Sequence, residues 1–274
     1  RDGKTDPHTK EVLRYREALK FGFDALKNRP LTTNLFVDMV RIIKQQDIGV
    51  RRTVGTALKD AAGEVVYTPP VGEALLRDKL TNLEQFIHAD DGLDPLVKMA
   101  VQHYQFEAIH PFDDGNGRTG RILNLLYLVQ AGLLDIPVLF LSRYIMANKA
   151  AYYAGLRAVT EQQAWEPWLL YMLRGVTSTA QQTFEQVTRI RGLMEEVRAR
   201  VQRDAPGIYS KDLIEVIFRH PYTKIQFLVD AGLAKRQTAS AYLQTLAGLG
   251  VLSPRKIGRE MYYINDALFA ELVR

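Results

Sequence analysis

Twelve consecutive residues, His110-Pro111-Phe112-Asp113-Asp114-Gly115-Asn116-Gly117-Arg118-Thr119-Gly120-Arg121, combine a histidine, carboxylates, a glycine-rich turn and paired arginines. An unperturbed imidazole titrates near ~6.5, so His110 can accept a proton from a hydroxyl at neutral pH. Asp114 can hold a magnesium ion, which binds through one or two carboxylates together with phosphate oxygens and water. Gly115 and Gly117 let the backbone approach an anion closely, and Asn116 between them is expected to tolerate a left-handed turn. Arg118 and Arg121, three apart, share one side of a helical turn and would repel each other there without an anion. Taken singly, each feature also fits a plain loop: a histidine before proline, a Gly-Asn-Gly turn, a core Phe112, a solvated or capping Asp113. Together they supply a base, a metal ligand and an anion cradle, the parts that phosphate transfer requires.

The flanking sequence says what must hold these parts. Leu96, Val97, Ala100, Val101 and Tyr104 recur at helical spacing before the segment, and Ile122, Leu125, Leu126 and Val129 after it, ending at Gly132. The segment therefore reads as a loop entering a helix N-terminus, where free amide groups and the helix dipole favour an anion. Upstream, residues 53–70 read as two short extended runs around a polar turn with Lys59, Asp60 and Gly63, stopped by Pro69-Pro70. Downstream, residues 141–153 lead into a helix, and Trp165, Trp168, Leu169, Tyr171 and Met172 read as the packed face of the last core helix.

The twelve residues resemble the signature of Fic-domain proteins, His-Pro-Phe-x-acidic-Gly-Asn-Gly-Arg-x-x-Arg, with every specified position matched from His110 to Arg121. The resemblance implies a mainly α fold: a Fic (Fido) helical core with a β-hairpin flap. It also implies AMP transfer from ATP to a Ser, Thr or Tyr hydroxyl of a target protein, with pyrophosphate released and self-modification expected. Carried over, it makes His110 the catalytic base and Asp114 the ligand of Mg2+ bridging the α- and β-phosphates. Gly115, Asn116 and Gly117 become the anion hole and Arg118 and Arg121 the holders of the outer phosphates, with Thr119 and Gly120 counted in the nucleotide site. Asn148 and Tyr153 are the candidates for adenine-side contacts. The hairpin before the motif resembles the family flap, with Val66, Tyr67 and Thr68 as the strand that a target segment would join; it also fits a plain structural hairpin. Kinase-like relatives resembling Doc have Ala-Asn-Lys at the place of Gly115-Asn116-Gly117, so Gly117 favours nucleotidyl over phosphoryl transfer. Phosphocholine transfer from a CDP-linked donor, found in a few relatives, stays open on the motif alone.

Residues 1–175 are assigned to the catalytic domain, 176–204 to a charged linker helix, and 205–274 to a small domain that resembles a winged helix-turn-helix. The last is expected to contain helices at 211–219, 223–231 and 235–249 and a hairpin over 251–264. Residues 205–274 hold 9 Lys or Arg against 6 Asp or Glu, a modest excess for a DNA-binding domain. Target recruitment or homodimerisation is the preferred role for this domain, and DNA the lesser one. A regulator that binds DNA and merely senses ATP is the competing functional class. The chain has 274 residues, a formal charge of +5 and no cysteine, which excludes disulfide frameworks and cysteine metal sites and fits a cytoplasmic enzyme. The most apolar stretch, 122–141, is interrupted by Asn124, Gln130, Asp135 and Pro137 and suits a buried helix and turn better than a membrane span. Relatives carry an inhibitory Ser/Thr-x-x-x-Glu-Gly/Asn helix; none occurs in this sequence, and residues 10–23 resemble the helix that follows it. Arg121 is accordingly expected to be unrestrained.

Overall fold

A computed structural model describes residues 6–54, 56–59 and 65–274, without the side chains of Lys59 and Val66. The described chain forms two compact units, residues 1–180 and 181–274.

The first unit is helical because its apolar residues recur every three or four positions, and two of its helices, α1 and α4, start from an Asp-Pro cap. Helix α1 (Pro7–Ala25) begins with proline at its first position, behind Asp6, whose side chain accepts from the Thr9 amide. Helix α2 (Thr33–Lys44) buries Leu35, Phe36, Met39, Val40 and Ile43. Strands β1 (Leu58–Lys59) and β2 (Val65–Tyr67) pair antiparallel, Leu58 opposite Tyr67 and Lys59 opposite Val65, with a bulge between. Of the turn expected at Lys59, Asp60 and Gly63, Lys59 instead ends β1, and Asp60 and Gly63 lie outside the described residues. Helix α3 (Glu73–His88) turns Leu76, Leu80, Leu83 and Ile87 inward, and α4 (Pro95–Ile109) is again started by an Asp-Pro pair, Asp94 and Pro95. Helix α5 (Asn116–Gln130) packs against α1, α2 and α4, so its N-terminus is held from three sides. Next come α6 (Leu141–Ala147), α7 (Lys149–Gln162) and α8 (Trp165–Asp204). Trp168 is fully buried and donates its indole N–H to the Ala100 carbonyl at 2.9 Å, fastening α8 to α4.

Helix α8 is continuous through 175 and 176, where the sequence placed a join between core and linker. Gly175 does not break it: a Cβ there would stand 2.8 Å from the Tyr144 ring, so glycine serves close packing of α6 and not a turn.

The second unit takes up the rest of α8. A 3-10 turn (Pro206–Ile208) precedes α9 (Lys211–Arg219), β3 (Tyr222–Thr223), α10 (Ile225–Asp230), α11 (Arg236–Gly248), β4 (Ser253–Ile257), β5 (Glu260–Ile264) and α12 (Asp266–Val273). The antiparallel sheet has the order β3-β5-β4. Val201, Leu213, Ile214, Ile217, Leu228, Leu243, Leu246 and Tyr263 form its core. The sequence reading lacked β3 and α12. Two residues cannot show an alternating pattern, and α12 is announced by a single cap, Asn265, whose Oδ1 accepts from the Leu268 amide. Among the described residues no helix is long and apolar enough to cross a membrane.

Candidate functional site

The loop between α4 and α5 is shaped by two left-handed residues. His110 caps α4 at φ 49° and ψ 60°, with its amide bonded to the Phe106 carbonyl, and Gly115 caps α5 at φ 92°. A non-glycine residue in this region is uncommon and marks a constrained site. Asn116 is not the left-handed residue expected of it. It is the first residue of α5, 2% exposed, and its amide clasps the loop: Oδ1 accepts from the Phe112 amide at 2.8 Å and Nδ2 donates to the Phe112 carbonyl at 2.7 Å. Phe112 is fully buried against Phe106, so the loop is pinned by about 1.5–3 kcal/mol of side-chain burial as well as by these bonds. The reversal falls to His110 and Gly115 because Asn116 must be helical to reach back four residues.

His110 presents a half-buried ring. Burial pulls its pKa below the ordinary value; the Glu107 backbone opposes this, Arg51 adds to it and Asp114 opposes it. The ring is thereby kept neutral, the form that accepts a proton. Asp114 is exposed; its Oδ1 accepts from the Gly115 amide at 2.5 Å and from Arg118 at 3.2 Å, and its Oδ2 pairs with Lys44. Partial burial works against its charge, but Lys44, the Gly115 amide and Arg118 outweigh it and hold the carboxyl below its usual range. Arg118 also pairs with Glu11 at 2.8 Å. Asp113 accepts from the Thr53 hydroxyl at 2.6 Å, which makes it a tether of the loop. Among the described residues no cluster of three metal-ligating side chains exists. A lone exposed carboxylate facing a helix N-terminus nevertheless fits Mg2+ brought in by a polyphosphate, which takes most of its ligands from phosphate and water.

Thr119 and Gly120 lie on the inner side of α5. The Thr119 hydroxyl donates to the Gly115 carbonyl at 2.9 Å, and a Cβ on Gly120 would come within 2.6 Å of Glu107 Oε1 and 3.0 Å of Phe106. Gly117 is likewise helical, and a Cβ there would stand 3.2 Å from Arg121 Nη1. These glycines make room for Glu107 and Arg121. Gly120→Ala is therefore expected to destabilise the protein by about 1–3 kcal/mol through overpacking; an unchanged thermal midpoint would contradict this.

Arg121 forms no ion pair among the described residues, and its Nε is buried without a hydrogen-bond partner, although it sits beside Glu107. Glu107, whose Oε1 is buried without a hydrogen-bond partner, is pushed up to about 7 by burial while Arg121 opposes the shift. Tyr15 and Tyr152 also feel Arg121. Tyr152 is buried and its hydroxyl meets His103 Nε2 at 2.9 Å, whereas Tyr153, next to it, is half exposed with Lys149 5.8 Å above its ring. The aromatic pair thus divides into a core member and a surface member. Asn148 joins α6 to α7 and spends its Nδ2 on the Tyr144 carbonyl at 2.9 Å.

The hairpin is tied to the loop by a residue that sequence reasoning missed. Arg51, 1% exposed, donates from its amide to the Pro111 carbonyl at 2.8 Å and from Nε to the His110 carbonyl at 2.7 Å. Its other guanidinium nitrogens reach Thr56 Oγ1 and the Pro70 carbonyl, at the two ends of the hairpin. Tyr67 adds a second tie, donating to the Ala108 carbonyl at 2.8 Å. Thr68 is exposed; the side chain of Val66 is outside the described residues.

The Fic/DOC family profile matches residues 30–128, and that of the protein adenylyltransferase SoFic-like C-terminal domain matches residues 193–268. The chain carries a Fic domain followed by a SoFic-like C-terminal domain. Caenorhabditis elegans protein adenylyltransferase fic-1 is 31% identical over 117 residues, 39% of this chain and 22% of that protein. A probable protein adenylyltransferase of Aquifex aeolicus is 38% identical over 85 residues, 31% of this chain and 26% of that protein. The matched part is thus about a quarter of the length of these curated relatives. A Fic family protein from Desulfovibrio desulfuricans shares the fold at a TM-score of 0.56 and 16% identity, over 96% of this chain and 77% of that one. The Fic domain of this chain therefore places its signature at the α4–α5 junction, with Arg51 and Lys44 as supporting cations far upstream in sequence.

Proposed function

We propose that this Fic domain transfers AMP from ATP to a Ser, Thr or Tyr hydroxyl of a protein bound along β2. Support comes above all from one juxtaposition: strand β2 is fastened at Tyr67 to Ala108, two residues before the base His110, and the base leads into an anion-binding helix N-terminus.

In this function the target segment extends the β1–β2 hairpin by backbone pairing. The neutral His110 ring takes the proton of the presented hydroxyl, whose oxygen attacks the α-phosphorus as the bond to pyrophosphate breaks. The amides of Gly115, Asn116 and Gly117 face the phosphates, and Arg118 and Arg121 carry the outer ones. Asp114 would hold Mg2+, which neutralises charge developing on the phosphate oxygens. The ion pairs of Asp114 with Lys44 and Arg118, and of Arg118 with Glu11, lie at the surface, where such pairs are worth about 0–1 kcal/mol, so a polyphosphate can replace them. Thr119 and Gly120 support the cradle from within, and Asn148 and Tyr153 border the nucleobase. Such chemistry suits an ATP-rich compartment such as the cytoplasm, and a homodimer through the second unit remains part of the proposal.

The test is to supply ATP labelled at the α- or the γ-phosphate and follow label onto protein, the chain itself included. Label from the α position with pyrophosphate released is expected. Label from γ alone would refute nucleotidyl transfer, and transfer only from a CDP-linked donor would move the activity to phosphocholine.

A further inference from the structure

The formal charge of the chain is not spread over its surface. Residues 231–259 contain Lys235, Arg236, Arg255, Lys256 and Arg259 and not one Asp or Glu, so the rest of the sequence holds 31 cationic and 31 anionic side chains. The whole excess of +5 therefore belongs to a stretch of 29 residues.

That stretch is α11 with its leading turn and the β4–β5 hairpin up to its tip. All five cations are exposed, and none is in an ion pair among the described residues. Elsewhere in the unit most cations are matched, among them Arg189 with Glu271, Arg198 with Glu195 and Lys211 with Glu215, while Arg191, Arg200 and Arg219 stand apart from one another in sequence without such a pair among the described residues. The carboxylate bordering the hairpin is taken as well. Glu260 receives Lys224 at 2.6 Å and the Tyr262 hydroxyl at 3.1 Å, and Lys224 lies 4.3 Å over the Tyr262 ring. Five uncompensated cations repel one another and lower stability, so the arrangement calls for an external polyanion.

The shape of the elements narrows the choice. Helix α11 turns Ala239, Leu243 and Leu246 into the core, and its outer face carries Arg236, Gln237, Thr238, Ala241, Gln244 and Thr245. That face has hydrogen-bonding groups, a small residue for close approach, and neither a carboxylate nor a large apolar side chain. A protein-docking face would be expected to offer aromatic or aliphatic anchors. Helix α10 and the Gly232 turn precede α11, and the hairpin β4–β5 follows it, an order that resembles a winged helix-turn-helix. A B-DNA major groove, about 12 Å wide, admits one α-helix, and a flanking hairpin with three cations can follow the phosphates beside it.

We infer that the second unit binds double-stranded DNA, with α11 in the major groove and the β4–β5 hairpin on the adjoining backbone. This is separate from the nucleotide site at the Fic signature.

The experiment is fluorescence anisotropy of the full chain with a mixed-sequence duplex of about 30 base pairs, over a salt series. Five phosphate contacts give a slope of log affinity against log salt of about −4.5, so doubling the salt weakens binding roughly twenty-fold. The triple variant Arg255→Gln, Lys256→Gln and Arg259→Gln is expected to reduce that slope by about 2.7, and Lys235→Gln with Arg236→Gln by about 1.8. These side chains are exposed, so the variants should melt as the parent does, and Mg-ATP should not displace the duplex. No binding at about 50 mM salt, a slope untouched by the variants, or displacement by Mg-ATP would overturn the inference. So would a dimer disrupted by the variants in a chain that ignores DNA, which would make this face a protein interface.

Discussion

His110→Ala is expected to lower AMP transfer by about 10²–10⁴-fold, the usual contribution of a positioned base, while ATP binding stays close to that of the parent. The separation follows from the geometry. The imidazole is borne by the left-handed cap of α4, whereas on the proposed function the anion cradle would be made by the amides at the start of α5 and by Arg118 and Arg121. The loop itself is held by Asn116, Phe112 and Arg51 through backbone groups, and the Nδ1 of the His110 ring has no hydrogen-bond partner among the described residues. Isothermal titration with ATP and a transfer assay on the same preparation check this. If transfer persists, the base lies elsewhere and the nucleotide site acts as a sensor. The pH profile gives an independent readout. Burial holds the His110 ring below its ordinary 6.5, so the neutral form persists to lower pH than in a free imidazole. Activity should be level near neutrality and fall only as the pH drops through that depressed value. An acid limb centred above 6.5 would mean that another group is titrating.

Arg51→Met is expected to cost about 3 kcal/mol of stability and about a hundred-fold in transfer, with a smaller effect on ATP affinity. The guanidinium and its amide hold four acceptors at once: the carbonyls of His110, Pro111 and Pro70 and the hydroxyl of Thr56. Methionine keeps much of the stem but removes the side-chain donors, leaving carbonyls without partners at about 1–3 kcal/mol each, offset by release of a desolvated charge. The catalytic loss has a different origin. Arg51 fixes both the ends of the hairpin and the backbone of His110, the proposed base, and a displacement of about 1 Å between reacting groups can cost 10²-fold. Arg51→Lys separates charge from geometry, since an ammonium cannot fork to the same acceptors. If Lys restores both melting temperature and rate, positive charge alone is what the position requires.

The signature was legible because its residues are contiguous and its chemistry is local: base, carboxylate, glycines and arginines stand within one turn and one loop. The two helices that flank it, α4 and α5, were legible from the spacing of Leu96 to Tyr104 and of Ile122 to Val129, although α5 is buried on nearly every side, from Ile122 through Leu128. Arg51, Lys44, Glu11 and Tyr15 could not be read in this way. They lie 59 to 107 residues from their partners in the loop and in α5, and a lone Arg or Lys in sequence looks the same whether it is solvated or clamps a loop. Glu107 was hidden for the opposite reason, sitting in a helix where a carboxylate is ordinarily a surface residue; only Gly117 and Gly120, absent of side chains, reveal the space that it and Arg121 occupy. The division of labour between Asn116 and His110 was misread because a Gly-Asn-Gly string suggests a turn at its centre. The clasp on Phe112 instead demands that Asn116 be helical.

Because Tyr67 and Arg51 bind the hairpin to the end of α4, the distance between the paired strand and the imidazole is a constant of the fold. A segment laid along β2 alternates its side chains between the two faces of the pleat. On the proposed function, sliding such a segment by one residue would turn its hydroxyl away from His110, and sliding it by two would present the next side chain of the same face. Acceptors in one extended stretch would then share a parity: hydroxyls two or four residues apart could substitute for one another, and immediate neighbours could not.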